Sequence, residues 1–296
     1  MFNNPEKTLV MSEVEFYAIR DFINGQCGLY FEISSKYLLE KRLSRRVHEH
    51  QLNSFREYHY YLLYDKDKAE ELNRIVDILT TNETYFLREE YQLKAFKDEI
   101  LPELTEKKND KTIRIWSAGC STGEEPYTIA MLLIESRLFN NWKVEVIGSD
   151  ISQRVLQVAR RGGYAGSSFR VMPDFYKDRF FYKGEEGRLY INDEVKEKVT
   201  FGKLNLLDSQ KINLIPEMDI IFCRNVIIYF DIETKKKVIE NFYRKLSDGG
   251  YLLLGHSESL MNITTSFKLK HLKNDMVYQK PELTAYADHT VKEAVE

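Results

Sequence analysis

A turn that combines two glycines with two carboxylates is the first group of residues in this chain suited to ligand chemistry. In IRIWSAGCSTGEEPYT, Gly119 and Gly123 allow a sharp turn and a close approach to a ligand, and the following helix presents free N–H groups. A dinucleotide enzyme holds a pyrophosphate at this place, but Glu124 and Glu125 would repel it and attract a cationic nucleotide such as S-adenosylmethionine. The turn therefore favours methyl transfer, although an acidic first turn also suits the helix dipole.

Two later segments add polar groups that suit a nucleoside. Asp150 ends the apolar run KVEVIGSD, close to the position where an acidic residue binds ribose hydroxyls in doubly wound folds. The alternative for Asp150 is a helix cap, because an Asp after a strand often accepts the free N–H groups of the next helix. Asn205 beside Leu206 offers a polar edge and an apolar wall suited to adenine.

Strands that alternate with helices are the elements expected to position these residues. The apolar runs are 113–116, 144–147, 219–222 and 251–255, and the helical patterns between them are 124–138, 152–161 and 233–246. This alternation predicts an α/β fold with a parallel, doubly wound sheet. Before it, residues 12–82 contain helical patterns and no strand run, with Ser12 suited to cap the first helix and further helices at 37–50 and 55–64.

The alternation of strand and helix patterns is interrupted between Gly162 and Phe201. There FFYKGEEGRLYI predicts a hairpin with KGEEG at its turn, and after Pro281 the chain is polar without periodicity. We predict an N-terminal helical domain and linker at 1–82, a methyltransferase domain at 83–281 with an inserted β subdomain at about 163–200, and a disordered tail at 282–296.

Composition excludes a general attraction to polyanions. The 43 Lys and Arg residues nearly balance the 46 Asp and Glu residues, giving a net charge of -3, so we expect neither nucleic acid as a partner nor direct membrane insertion. The N-terminus does not have the pattern of a signal peptide, and no apolar stretch is long enough to span a bilayer. Cys27, Cys120 and Cys223 have no metal-ligand spacing, so we expect reduced thiols, no metal and a cytoplasmic location.

Six blocks in the chain resemble the chemotaxis protein methyltransferase family of the CheR type. They are TTNETYFLRE (80–89), WSAGCSTGEEPYT (116–128), SDI (149–151), NLL (205–207), FCRNVIIYFD (222–231) and GHSESL (255–260). The resemblance implies a helical domain followed by a class I methyltransferase (Rossmann-like) fold with a small antiparallel insertion. It also implies a monomer that transfers methyl groups from S-adenosylmethionine to glutamates of a methyl-accepting chemotaxis receptor, with S-adenosylhomocysteine as product.

The resemblance implies roles for residues within the matching blocks. Those expected to bind the cofactor are Asn82, Thr84, Arg88, Gly119, Glu125, Asp150, Asn205, Leu206, Asn225 and Val226. Arg88 and Tyr229 are expected to face the transferring methyl group as catalytic residues. Glu124 stays an alternative to Glu125, because the sequence does not fix the phase of the helix. The turn KGEEG is short for docking a receptor C-terminal peptide, so no strong tether is expected.

A basic helix is the candidate surface for the acceptor. In KYLLEKRLSRRVHEH, one face carries Leu39, Leu43 and Val47, and the residues predicted to bind the substrate on the other face are Lys41, Arg42, Arg45 and Arg46. Charge complementarity would orient the glutamate-rich cytoplasmic helical bundle that the resemblance implies as acceptor. The alternative is a solvated face balanced by nearby glutamates.

Two other functions compete with receptor methylation. One is a methyltransferase with a nucleic acid or a small molecule as acceptor, and the other is a non-catalytic module that binds S-adenosylmethionine and docks receptors. Retention of Arg88, Asp150 and Asn225 favours an enzyme. His256 does not indicate a hydrolase, since the sequence has no GxSxG nucleophile turn.

Overall fold

The N-terminal part of the computed structural model, which describes residues 8–184 and 187–282, is a group of packed helices. They are α1 Glu13–Cys27, α2 Lys36–Glu49, α3 Phe55–Tyr64 and α4 Lys68–Leu79, with a short 3-10 turn at Ile33–Ser35. Ser12 caps α1 in a reciprocal capping box with Glu15, and Gly28 ends it in the left-handed conformation at φ +81°. The helical prediction for this region is confirmed, and α4 is a further helix within it.

Buried apolar side chains and one buried ion pair hold these helices together. The apolar core includes Phe16, Ile19, Leu43, Tyr58 and Ile75. Within it, Arg46 of α2 donates to Glu71 of α4, and the Tyr58 hydroxyl donates to the same carboxylate. Burial alone would raise the pKa of Glu71, but the hydrogen bonds from Arg46 and Tyr58 outweigh it and lower the pKa to about 2.

A helical stretch that the sequence analysis does not predict leads from the linker into the sheet. It comprises α5 Glu90–Ala95, a π-helical turn at Phe96–Ile100 and α6 Leu101–Lys107. Its inner face buries Leu93, Phe96 and Ile100 in the same core as the strand residue Ile115. The stretch therefore belongs to the packing of the sheet and not to the helical region before it.

The rest of the described chain alternates strands with helices. The strands are β1 Thr112–Ala118, β2 Lys143–Asp150, β3 Gly163–Tyr164, β4 Phe181–Lys183, β5 Leu189–Ile191, β6 Val199–Lys203, β7 Met218–Cys223, β8 Leu246–Leu254, β9 Lys268–His271 and β10 Met276–Gln279. The helices are α7 Glu124–Ser136, α8 Gln153–Arg161, α9 Asp174–Phe180, α10 Asp193–Lys196, α11 Ser209–Asn213 and α12 Ile232–Lys245, with 3-10 turns at Gly166–Phe169 and Ile227–Tyr229.

Strand order explains where a ligand site must lie. Within the described ranges the large sheet runs β6-β2-β1-β7-β8-β10-β9, and its pairs from β6 to β8 are parallel. The chain moves outward from β1 to β6 and then returns to β7, so the order reverses between β1 and β7. Because β10 is antiparallel to both β8 and β9, the sheet is mixed, whereas the sequence predicts a parallel one.

The predicted insertion forms a small antiparallel sheet with the order β3-β5-β4. Phe181 faces Ile191 across the β4–β5 hairpin, whose turn residues Glu185 and Glu186 lie outside the described residues. Phe86 of the linker packs against Tyr164 and Phe181, which attaches the insertion to the linker. The predicted disordered tail also lies outside the described residues, apart from Glu282.

Residues 8–184 and 187–282 contain neither a helix able to cross a membrane nor a cluster of metal-binding side chains. No helix in those ranges is long and apolar enough to cross a bilayer. Nor do the same ranges contain a group of at least three His, Cys, Asp or Glu side chains able to hold a metal ion. The three cysteines are buried free thiols.

Candidate active site

A cleft opens at the carboxyl ends of β1, β2 and β7, where the strand order reverses. Linker residues between Thr80 and Arg88 line one side of the cleft, and the helical region contributes Cys27 and Leu29 to its lining. The cleft and its open mouth enclose about 1060 Å³, which is enough for a nucleoside with an amino-acid arm. This is the position at which open α/β sheets bind their ligands.

The turn after β1 is shaped by a glycine that no other residue can replace without movement. Gly119 has φ +82°, and a Cβ atom there would lie 2.4 Å from Val226 Cγ2. The N–H groups of Gly119 and Cys120 both donate to the Ser149 carbonyl, at 2.8 and 2.9 Å. The hydrogen bonds connect the β1 turn to β2, and the close approach to Val226 brings the β1 and β7 loops together at the floor of the cleft.

The two adjacent glutamates at the start of α7 face different surroundings. Glu124 is buried away from the cleft and accepts hydrogen bonds from Thr122 and Ser168. Glu125 lines the cleft, where it accepts a 2.7 Å hydrogen bond from Ser117 Oγ. Burial raises the pKa of Glu125, and the nearby Arg224 guanidinium opposes that shift. The phase left open by the sequence is thus resolved, with Glu125 in the cleft.

Asp150 is held by backbone N–H groups on both of its carboxylate oxygens. Ser121 N donates to Oδ2 and Ser152 N to Oδ1, each at 2.9 Å. Burial raises the pKa of Asp150, while these N–H groups act in the opposite direction. Asp150 is not the cap of α8, because Ser152 Oγ fills that role by accepting from Val155 N. The helix-cap alternative for Asp150 is therefore wrong.

Asn205 and Leu206 form part of the cleft wall next to the helical region. The Asn205 amide donates to the Gln26 carbonyl at 2.7 Å, and its Oδ1 accepts from Leu207 N. Leu206 is buried beside Leu204. The Asn205 side chain thus connects the sheet to α1 as well as lining the cleft.

The linker residues reach the cleft through a strained path. Leu87 and Glu89 have φ +59°, a conformation that residues other than glycine rarely adopt. The Ser121 hydroxyl donates to the Asn82 carbonyl, and the Arg88 guanidinium donates to the Glu83 carbonyl at 2.9 Å. Asn82, Thr84 and Arg88 accordingly share the cleft with the strand-end residues.

The outer part of the cleft combines both structural regions. Tyr229 lines it with 37% of its surface exposed, and its carbonyl accepts a 2.9 Å hydrogen bond from Tyr30 N. Leu29 forms a β-bridge with Phe230. Helical-region residues therefore help to position the segment that carries Tyr229.

Two protein-family models match the chain over most of its length. One, described as CheR methyltransferase, SAM binding domain, matches residues 82–276. The other, described as CheR methyltransferase, all-alpha domain, matches residues 14–80. The chain belongs to the CheR methyltransferase family.

Curated relatives agree with this membership of the CheR family. Chemotaxis protein methyltransferase 2 of Vibrio cholerae serotype O1 is 36% identical over 274 residues, which cover 92% of this chain and 95% of that protein. The chemotaxis protein methyltransferase of Borreliella burgdorferi is 39% identical over 238 residues, covering 79% and 83%. Among solved structures, the N-methyltransferase NodS of Bradyrhizobium japonicum with S-adenosyl-L-homocysteine matches with a TM-score of 0.38 at 13% identity, over 68% of this chain and 90% of that one.

This CheR-family chain is a chemotaxis protein methyltransferase that uses S-adenosylmethionine. Four predictions made from the sequence are confirmed: the family, the enzyme class, the cofactor, and the α/β fold with its helical N-terminal domain. The residues predicted to bind the cofactor lie in one cleft together with Arg88 and Tyr229, the residues predicted to be catalytic. Their contacts with ligands stay predictions.

The basic face of α2 needs a correction in this CheR-family enzyme. Arg46 is 7% exposed and paired with Glu71, so it belongs to the interior of the helical region. Arg42 donates to the carbonyls of Ile78 and Leu79 at the end of α4. The sequence predicts that all four basic residues share an outer face, which is wrong because Arg42 and Arg46 follow a row of the helix that turns towards α4.

Sequence reasoning missed two charged residues of the site. Arg224 lines the cleft, donates to the Arg88 carbonyl at 2.5 Å and has its Nε 3.3 Å from Glu89 and 3.5 Å from Glu125. Glu258 accepts hydrogen bonds from the backbone of the Asn225 loop. Arg224 lies in the block FCRNVIIYFD and Glu258 in the block GHSESL. Their place in these blocks of family resemblance is the sequence feature that could have identified them.

Proposed function

We propose that this enzyme esterifies glutamate side chains in the cytoplasmic helical bundle of a methyl-accepting chemotaxis receptor, acting in the cytoplasm as a monomer. The reaction turns a glutamate carboxylate into a methyl ester and releases S-adenosylhomocysteine. The observation that carries the proposal is a single cleft lined by Glu125 and Asp150 together with Arg88 and Tyr229. Carboxylates suit a cationic donor, and an arginine suits a carboxylate acceptor.

The residues of the cleft fit S-adenosylmethionine by their chemistry. We assign Glu125 to the donor's ammonium group, Asp150 to its ribose hydroxyls and Leu206 to its adenine. The buried Oδ1 of Asn225 has no hydrogen-bond partner among the residues that the structure describes, so it suits a donor group of the ligand. The full set proposed to bind the cofactor is Asn82, Thr84, Arg88, Gly119, Glu125, Asp150, Asn205, Leu206, Asn225 and Val226.

Orientation of the acceptor is the main catalytic task left to this chain. When bound, S-adenosylmethionine supplies an electrophilic methyl group. A glutamate side chain has a reference pKa of about 4.3, so it is ionised at neutral pH and no general base is needed. Correct alignment of two reactants can contribute about 7 kcal/mol or more. Arg88 is suited to orient the acceptor carboxylate through two parallel hydrogen bonds, and the Tyr229 hydroxyl is suited to assist it.

The exposed face of α2 supports a helical, acidic acceptor. Lys41 is exposed and the Arg45 side chain is 76% exposed, one helical turn apart. Arg42 anchors the same helix to Leu79, directly before the cleft residue Thr80. We propose that Lys41 and Arg45 contact the receptor, that Arg42 positions the start of the linker, and that Arg46 stabilises the helical region.

The proposal is tested by transfer of a labelled methyl group from S-adenosylmethionine to a receptor cytoplasmic fragment. Mild base should release the label as methanol, because carboxyl methyl esters hydrolyse under conditions that leave N-methyl groups intact. A matched fragment with glutamines in place of the acceptor glutamates should stay unlabelled. Base-stable label, or equal labelling of both fragments, would contradict a glutamyl ester as the product.

A further inference from the structure

Glu258 lies in a ring of backbone N–H groups. Its Oε2 accepts from Asn225 N and from Gly255 N, both at 2.7 Å. Its Oε1 accepts from Val226 N at 2.9 Å and from Ile228 N at 3.3 Å. A carboxylate with four such donors is strongly held, because hydrogen bonds to an ionised acceptor are shorter and stronger than neutral ones.

The backbone that Glu258 binds is the floor of the cleft. Asn225 has φ +59°, a left-handed conformation that costs energy, although less for asparagine than for most residues. The next residue, Val226, packs its methyl groups against Gly119, and both Asn225 and Val226 line the cleft. A loop with this strain needs an external anchor, and Glu258 supplies it from another segment of the chain.

The neighbouring glycine shows how closely the anchor fits. A Cβ atom on Gly255 would lie 2.9 Å from Asn225 Nδ2, 2.9 Å from Glu258 Oε2 and 3.0 Å from Asn225 N. Such contacts are too short for unbonded heavy atoms, so any larger residue at this position would displace the Asn225 carboxamide or the Glu258 carboxylate. The Asn225 carboxamide therefore packs closely against the Gly255 backbone beside the Glu258 carboxylate.

We propose that Glu258 is a positioning residue for donor binding: its carboxylate holds the strained Asn225 loop so that the Asn225 carboxamide meets S-adenosylmethionine or S-adenosylhomocysteine. The inference rests on the proposed role of Asn225 in the cofactor site. The negative charge matters less than the number of acceptor positions, because four N–H groups require two acceptor oxygens. A glutamine offers one oxygen and turns its NH₂ group towards N–H groups, which it cannot satisfy.

The test measures the dissociation constant of S-adenosylhomocysteine by calorimetry for the wild type, Glu258→Gln, Asn225→Gly and the double variant. Glycine tolerates the φ of residue 225, so Asn225→Gly removes the carboxamide without adding strain. We expect Glu258→Gln to weaken binding by at least about tenfold, because one carboxylate oxygen that accepts two N–H groups is lost. Adding Asn225→Gly to Glu258→Gln should then change the dissociation constant by less than about twofold, because the carboxamide no longer meets the ligand once Glu258 is replaced.

A matched control separates positioning from general stability. Glu99 also accepts loop N–H groups, from Lys273 and Asn274, but it does not line the cleft. Glu99→Gln should lower the thermal midpoint and leave the dissociation constant unchanged. An unchanged constant in Glu258→Gln, or single effects that multiply in the double variant, would overturn the proposal.

A second variant keeps the test decisive if Glu258→Gln does not fold. Gly255→Ala keeps Glu258 in the chain but crowds both its carboxylate and the Asn225 carboxamide, and it should also weaken S-adenosylhomocysteine binding. Unaltered affinity in Gly255→Ala would count against a positioned carboxamide. Because only donor binding is measured, failure here leaves receptor esterification untouched, and an enzyme that does not label receptors leaves this inference intact.

Discussion

The donor side and the acceptor side of the cleft are built in different ways. On the donor side, formed by the β1, β2 and β7 ends, the Asp150 carboxylate accepts short hydrogen bonds from backbone N–H groups, and the backbone N–H of Asn225 donates to the Glu258 carboxylate. On the acceptor side, Arg88 lies in a linker with left-handed residues, and Tyr229 is 37% exposed. The difference suggests a preformed site for a small donor and a more open one for a macromolecular acceptor.

Arg224 connects the two sides, and its loss should have the largest effect. Arg224→Met leaves the carboxylates of Glu89 and Glu125 buried without their cation and releases the Arg88 carbonyl. We expect the free energy of unfolding, measured with urea, to fall by about 3–5 kcal/mol, the usual cost of leaving a buried charge unpaired.

The control for Arg224 is a variant that also removes one of the charges. Adding Glu89→Gln to Arg224→Met should restore part of the lost stability, since only Glu125 would then remain unpaired. If Arg224→Met unfolds at the wild-type urea concentration, the guanidinium does not connect the two sides.

The helical region that supports the acceptor side should respond to acid through Glu71. Its pKa is lowered from 4.5 to about 2, so the pair with Arg46 contributes its full stability above pH 4.5 and loses it as the pH falls towards 2. The contribution is roughly 3 kcal/mol. We expect Glu71→Gln to lower the free energy of unfolding at pH 7 and to weaken its dependence on pH between 4.5 and 2.

Glu70 provides the comparison for the acid response. It forms a surface pair with Arg74 and its side chain is 69% exposed, so Glu70→Gln should leave both stability and its pH dependence nearly unchanged. Equal acid profiles for wild type and Glu71→Gln would show that the buried pair does not stabilise this region.

The smallest effect is expected on the outer face of α2. Replacing Lys41 and Arg45 together by alanine should raise the KM for the receptor about threefold to tenfold at low salt, and the difference should shrink as salt screens the charges. The measurement is initial methylation rate against receptor concentration at two ionic strengths.

The control for the α2 double variant removes the same amount of positive charge from two lysines far from α2. Lys268 and Lys273 are exposed on and after β9, at the far edge of the sheet, and their replacement by alanine should not alter the KM. A similar rise in both double variants would indicate attraction by net charge and not recognition by α2.

Local patterns were sufficient for most of the fold. The Ser12 capping box and the alternation of apolar runs with helices depend on residues close in sequence, so they could be read directly. The antiparallel β9 and β10 could not, because β10 is defined by its pairing with β8 through Tyr278 and Leu252. Long-range pairing decides the direction of a short strand, whatever its own composition.

The site divides in the same way between local and distant causes. Gly119, Glu125 and Asp150 belong to turns whose residue types already suggest a ligand. Arg224 and Glu258 act on backbone groups of other segments, such as the Arg88 carbonyl 136 positions away, and no local pattern contains that information. Arg46 shows the converse error, since its partner Glu71 lies on another helix and turns an expected surface residue into a buried one.

Arg88 tests the distinction between the two sides most directly. The measurement is labelled methyl transfer to the receptor fragment at saturating donor, together with the dissociation constant of S-adenosylhomocysteine, for Arg88→Ala. Arg170→Ala is the matched control, because Arg170 stacks on the same Tyr85 ring and pairs with Glu83 but does not line the cleft. We expect turnover by Arg88→Ala to fall about 100-fold with donor affinity reduced less than about tenfold, and Arg170→Ala to retain activity. Turnover by Arg88→Ala within about twofold of the wild type would contradict the account, because the acceptor carboxylate would then be oriented elsewhere.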